Sequence, residues 1–193
     1  MADFRLQAET AGQSAGLLER SKATGDLEAF DQLMRLHEKQ VLGTALRLLG
    51  NLEDAQDAAQ EAFLRLYKSL NRLPDIQEIK PWLYRVTVNV CNDMHRSRRR
   101  RAWEPLSGPD PVSSQPDPES AWFGQERGRL VEMALKTLPE KERAAVVLRD
   151  MQGLTTREVA GILGSSEVTV RSQISVARGK MKKFTDRYLR KHL

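Results

Sequence analysis

Apolar side chains in this chain recur at intervals of three and four residues rather than alternating, so the pattern predicts helices throughout and no strand. Residues 1–16 are polar and small and read as a flexible tail, with a short helix over 17–23 that Gly25 ends. Asp26 caps a helix over 27–49, with Phe30, Leu33, Met34, Val41, Ala45 and Leu48 facing inward, and Gly50-Asn51 closes it. A third helix, 52–70, carries the stripe Ala55, Ala59, Phe63, Leu66 and Leu70. Its opening turns hold Glu53, Asp54 and Asp57, acids that suit the positive end of the dipole. Pro74 interrupts a loop over 72–80, and Pro81 is placed to open the next helix, 81–101. Val86-Thr87-Val88 has strand propensity, yet Leu83, Val86, Val90 and Met94 keep a helical period.

Residues 103–125 break this pattern. They hold five of the eight prolines, four acids and no Lys or Arg, the composition of an extended, flexible acidic linker. Beyond it Leu130, Val131, Ala134, Leu135 and Leu138 mark one helix. Pro139 begins another, with Ala144, Val147, Leu148 and Met151 inward and Gly153 at its end. Thr155 and Glu158 then form a capping box for a short helix carrying Val159, Ala160 and Leu163, which Gly164 stops in a left-handed turn. Ser165 or Ser166 caps the last helix, where Val170, Ile174, Ala177 and Met181 form a narrow apolar stripe. The chain is therefore all-α, with a tail (1–16), a first helical module (17–102), a linker (103–125) and a second module (126–193) that ends in a helix-turn-helix.

Two polar faces suggest chemistry. At about 100° per residue, Val168, Ser172, Ser175 and Gly179 fall opposite the stripe of the last helix, with Arg171 and Arg178 on the flank. Slim residues allow close approach to a major groove, and Arg serves base edges or phosphates. From Arg171 to Leu193 there are eight Lys or Arg and one acid, Asp186. A solvated amphipathic hairpin is the plainer alternative, but a basic run abutting a helix-turn-helix suits phosphate contact. On the helix 81–101, Arg85, Asn89, Asn92 and Arg96 share one arc bordered by Trp82, and arginine fills five of the six positions 96–101. Such residues can grip a backbone and hydrogen-bond or stack on exposed bases. A solvated Asn/Arg face with Trp82 in the core is the alternative.

Composition adds limits. The 193 residues carry a formal net charge of +5 and a pI near 9.5, which is compatible with a nucleic-acid partner without requiring one. The single cysteine, Cys91, forbids an internal disulfide and a cysteine-based zinc site. His37, His95 and His192 lack metal-type spacing, so no metal or cofactor is expected. No nucleophile–base pairing or phosphate-loop motif occurs, and a non-enzyme is the expectation. With no secretory leader or membrane-length apolar run, a soluble cytoplasmic protein is expected.

Three ordered stretches carry a resemblance: NLEDAQDAAQEAFLRLYKSL, KPWLYRVTVNVCNDMHRSRRRR and LPEKERAAVVLRDMQGLTTREVAGILGSSEVTVRSQISVARGKMK. Together they resemble the extracytoplasmic-function (ECF) sigma factors of the bacterial sigma-70 family, over about residues 17–185. That family keeps two conserved helical domains, regions 2 and 4. The resemblance implies that Asp54, Asp57, Gln60, Glu61 and Leu64 face the β′ clamp helices of core RNA polymerase; Gln56 stands where the block usually has Glu. It implies that the helix 81–101 recognises and melts the promoter −10 element through Trp82, Arg85, Asn89, Asn92 and Arg96, while the loop 73–80 holds one flipped base. Arg171, Ser172 and Ser175 would read the −35 element, with Arg149, Thr169 and Arg178 nearer its phosphates. Ser175 stands where some members carry an aromatic, so the −35 preference does not transfer. Further partners implied are the β flap tip, single- and double-stranded promoter DNA and an anti-sigma factor. The rival readings are a stand-alone helix-turn-helix regulator, which leaves the acidic strip and the Asn89 arc without a use, and a protein-interaction adaptor.

Overall fold

The computed structural model describes residues 2–73, 79–103 and 122–192, with side chains described over 12–70, 72–73, 79–100 and 128–191. Among these residues there are eight α-helices and no strand. Helix α1 spans Ala2–Thr24. The expected tail is thus helical from Ala2, and its packing gives the reason: Ser14, Leu17, Leu18 and Ser21 form a small-residue and leucine stripe buried against α2. Ser14 Oγ lies 3.0 Å from Nε2 of His37, a histidine buried at 3% exposure whose Nδ1 has no hydrogen-bond partner among the described residues. Burial holds His37 below its ordinary value of 6.5.

Helix α2, Leu27–Leu49, begins where the Asp26 carboxylate accepts the N–H groups of Glu28 and Ala29, both at 3.0 Å. It ends at Gly50, whose φ of 80° only glycine adopts without strain; a Cβ there would also stand 2.8 Å from Cε of Lys136. Asn51 caps α3, Leu52–Ser69, and a 3₁₀ turn follows over Leu70–Arg72. Most of the proposed base-holding loop, residues 74–78, lies outside the described residues. Helix α4, Ile79–Trp103, starts two residues before Pro81, which falls in the first turn where a missing N–H costs nothing. Its β-branched run stays helical, and the buried Thr87 hydroxyl donates to the Leu83 carbonyl at 2.7 Å.

In the second module α5 spans Trp122–Lys136, beginning inside the expected linker, of which 104–121 lie outside the described residues. Helix α6, Glu140–Val146, widens into a π-helical stretch over Val147–Met151, a feature the apolar period does not reveal. Helix α7, Thr156–Leu163, has the full capping box between Thr155 and Glu158, and Gly164 at φ 60° ends it. Ser166 caps α8, Glu167–His192, by accepting the Thr169 N–H at 3.1 Å.

Two apolar clusters hold the helices. Leu17, Leu18, Phe30, Leu33, Val41, Phe63, Leu66, Ile79 and Leu83 unite α1 to α4. The second cluster joins Ala45, Leu48 and Leu49 of α2 and Tyr84, Val88 and Cys91 of α4 to Leu135, Leu148, Val159, Val170 and Ile174 of the second module. The two modules therefore share a core in this structure. The cause is legible in hindsight: Tyr84, Val88 and Cys91 repeat at i, i+4 and i+7, a second apolar stripe on α4. Polar contacts close the seam. Tyr84 Oη donates to Oε1 of Gln152 at 3.0 Å, and Arg143 Nη1 donates to the Leu48 carbonyl at 2.6 Å.

Two helix caps tie stability to pH. The Ala29 N–H, then Arg20, hold the Asp26 carboxyl below its ordinary 3.8, and the Thr155 hydroxyl with its backbone N–H holds Glu158 below 4.5. A carboxylate lowered in the folded state lends stability that is complete above its unfolded pKa and lost as pH falls through the folded one. Thermal midpoints measured against pH are therefore expected to fall as pH drops below about 4, and Glu158→Gln to lower the neutral midpoint while flattening that fall.

Candidate nucleic-acid interface

The helix-turn-helix presents its face as the sequence pattern requires. Val170, Ile174 and Ala177 are buried, and Val168 (71% exposed), Arg171, Ser172, Ser175, Arg178 and Gly179 lie in the open. Thr169 is exposed too, but its hydroxyl is 2.8 Å from that of Ser166, so it belongs to the cap as much as to the face. Both arginines have acid partners. Arg171 Nη2 donates to Glu167 at 2.9 Å one turn back, and Arg178 donates from Nε and Nη2 to the two oxygens of Asp150 at 2.8 and 2.6 Å. Asp150 holds the Arg178 guanidinium above its ordinary value through those hydrogen bonds. Arg149, half-buried, stands beside Asp150 in the π-helical stretch.

On α4, Arg85, Asn89 and Arg96 are exposed and Asn92 is half-buried, so the four share an open edge between the two buried sides of the helix. Trp82 is half-buried and packs on the first cluster, which joins its core reading to its place at the border of the edge. Arg85 reaches across the seam: its Nη2 donates to the Gly161 carbonyl of α7 at 2.7 Å. The arginine run at the end of α4 is partly engaged in holding the fold. Arg98 pairs with Asp54, and Arg99 lies 3.6 Å from Glu140 of the second module.

Helix α3 divides the acidic block in two. Asp57, Gln60 and Leu64 form an exposed strip, with Leu64 at 45% exposure, whereas Asp54 is 8% exposed. Asp54 receives the Asn51 side-chain amide as well as Arg98, so its carboxylate is turned into the fold. Half-buried Glu61 accepts from Arg65 at 2.7 Å. Arg65 in turn lies 4.0 Å from Asp93, which is 3.7 Å from Arg96, so a ladder of charges runs from the α3 strip to the α4 edge. A groove between α2 and α3, lined by Met34, Leu42, Ala59, Phe63, Arg35, Glu38 and Gln60, adjoins the strip. Among the described residues no group of His, Cys, Asp and Glu is arranged to hold a metal, and no helix is long and apolar enough to cross a membrane.

Sequence reasoning did not find Asp150, the α2 wall of the groove or the seam residues Gln152 and Arg143. The Asp150–Arg178 partners are 28 residues apart, beyond any helical period. The division of the acidic block is testable by thermal melts of the isolated chain. Asp54→Ala is expected to cost about 1–3 kcal/mol, because it removes the acceptor for two donors. Asp57→Ala and Gln60→Ala are expected to stay within about 0.5 kcal/mol of the parent.

The profile of Sigma-70 region 2 matches residues 33–101, and that of Sigma-70, region 4 matches residues 128–181. The chain is 39% identical over 176 residues to the ECF RNA polymerase sigma factor SigE of Mycolicibacterium smegmatis, covering 88% of this chain and 66% of that one, slightly under two thirds of that relative's length. It is 31% identical over 190 residues to the RNA polymerase sigma-H factor of Pseudomonas aeruginosa, covering 94% of this chain and 98% of that protein. Among solved structures, CnrH in complex with the cytosolic domain of CnrY superposes with a TM-score of 0.63 at 26% identity, over 90% of this chain and 97% of that one. Two profiles in the right order, relatives spanning both helical modules and a shared all-α architecture lead to one conclusion: the chain belongs to the ECF sigma factors of the sigma-70 family, alternative sigma factors for RNA polymerase.

Proposed function

We propose that this sigma factor docks on core RNA polymerase through α3 and opens promoters by reading two DNA elements with separate helices. The observation that carries the reading is the presence, on one chain, of a helix-turn-helix face on α8 and a second Asn/Arg edge on α4 beside the exposed α3 strip. In this account Asp57, Gln60, Glu61 and Leu64 meet the β′ clamp helices, with the α2–α3 groove adding apolar area, and Asp54 sets the shape of α3 from within. Asn89, Asn92 and Arg96 contact the −10 strand, and half-buried Trp82 offers a ring edge to an unstacked base. Arg171, Ser172 and Ser175 read the −35 duplex, while Arg149, Thr169 and Arg178 contact its phosphates and the second module also touches the β flap tip. Each face alone is small. Linking both to polymerase raises the effective concentration of the second contact once the first has formed. Melting draws on binding to extruded bases, which offsets an unstacking cost of a few kcal/mol per nucleotide.

The shared core supplies a resting state in this reading. With Arg85 committed to the Gly161 carbonyl, the first residue of the α4 edge is tied to α7, and engagement of the whole edge requires that contact to open. A protein that keeps the seam closed or covers the α3 strip would silence the factor, the role expected of an anti-sigma partner. That CnrH was solved with the cytosolic domain of CnrY supports a partner of this kind.

Run-off transcription with purified core polymerase on genomic fragments tests the reading. RNA from defined starts is expected only when the chain is added, whereas tight duplex binding without polymerase would favour a stand-alone regulator. Asn89→Ala is expected to reduce promoter opening while attachment to polymerase is kept, scored by permanganate reactivity beside co-purification. A reversible bifunctional crosslink between cysteines placed at 85 and 161, in a Cys91→Ala background, is expected to abolish opening until it is cleaved.

A further inference from the structure

We infer that Asp150 is a positioning residue for promoter binding, acting through Arg178. This rests on the reading of α8 as the −35 helix and adds a residue to it. Asp150 lies in the π-helical stretch before the helix-turn-helix, with its side chain 28% exposed, and Arg178 lies on the open face of α8 at 61%. Their contact is a two-toothed fork. Nε and Nη2 donate to separate carboxylate oxygens at 2.8 and 2.6 Å, which fixes the plane of the guanidinium as well as its place. Arg has five N–H donors and the fork takes two. Of the three that remain, one on Nη1 and one on Nη2 form the end-on edge of the group, and among the described residues no hydrogen bond competes with a phosphate for them.

An isolated exposed arginine visits many rotamers, and docking it on one phosphate costs that freedom; an arginine already held in plane loses less. The carboxylate that meets α8 sits within the π-helical turn. Lys180 and Glu142 give an internal contrast. They form an ion pair of the same kind between α6 and α8, at 2.8 Å, but through a single ammonium that fixes no plane.

The inference has a sign opposite to simple electrostatics. Removing a carboxylate near DNA should strengthen binding if charge alone matters, because Asp150 repels phosphate within a Debye length of about 8–10 Å. If Asp150 positions Arg178, removing it weakens binding.

The test uses full-length protein in the polymerase holoenzyme and a promoter duplex taken from a start site mapped by run-off transcription. Affinity is measured between about 50 and 200 mM salt. Asp150→Asn is expected to bind several-fold more weakly, with the slope of log K against log salt reduced in magnitude by about 1, as for loss of one phosphate contact. Arg178→Ala should give the same change, and the double variant no further loss. Asp150→Glu should recover part of it, and Glu142→Gln should leave the slope unaltered. The inference is overturned if Asp150→Asn binds equally or more tightly, or if it binds more weakly with the parental slope, the mark of a purely structural ion pair. Absence of any start site with the parent protein would instead overturn the functional reading beneath it.

Discussion

Tyr84, Val88 and Cys91 on one side of α4, with Ile79 and Leu83 on another, make a helix that α2 and α3 cannot cover alone. Each of these side chains is under 4% exposed, and full burial of one large apolar side chain is worth about 1.5–3 kcal/mol. The second module supplies the missing cover with Leu148, Leu154 and Val159. Burial on two sides leaves α4 a single open edge, where Asn89 and Arg96 stand. The same constraint fixes the direction of that edge, because a helix packed from two sides is not free to roll.

The polar chemistry of the seam follows from helix ends. Helices α2 and α5 both terminate at it, and their last carbonyls have no partner within their own helices. Arg143 serves both, donating to the Leu48 carbonyl at 2.6 Å, Leu138 at 3.0 Å and Lys136 at 3.3 Å. The negative ends of the two dipoles favour a cation there. Desolvation draws Arg143 down from its ordinary 12.5 without threatening its charge. His95 also lies 3.3 Å from the Leu48 carbonyl. The modules are thus joined by oil and by a shared fork of donors, and any separation of them would leave the fork to find new acceptors or water.

Much of the fold was legible because its signals are local. Asp26, Gly50, Thr155 with Glu158, Gly164 and Ser166 act within four residues, and each stands where the pattern puts a helix end. The apolar periods likewise placed Val170, Ile174 and Ala177 inward and so exposed Ser172 and Ser175. What was not legible depends on distance along the chain. Before Leu17, α1 is too short of large apolar residues to announce a helix, although Leu17 and Leu18 anchor it on α2. Asp54 looks like any acid in a first turn until Arg98, 44 residues later, folds back on it. The second stripe of α4 was present in the letters but overlaps the first, so a single-face reading absorbed one and passed over the other.

The π-helical stretch also has a consequence for how this region tolerates change in length. A widened turn is an α-helical turn carrying one surplus residue, so a one-residue deletion between 147 and 151 could be absorbed as regular helix with its backbone hydrogen bonds intact. The flanking helices would keep their mutual orientation, because the wide turn already absorbs the surplus residue, and only the side chains within the turn would be reassigned. Leu148, wholly buried at the seam, and Asp150, held by α8, could not both keep their places. Chain length at this turn is therefore tied to the relative placement of a core side chain and the partner of Arg178, and a frame-preserving loss there would separate two features that point substitutions disturb only one at a time.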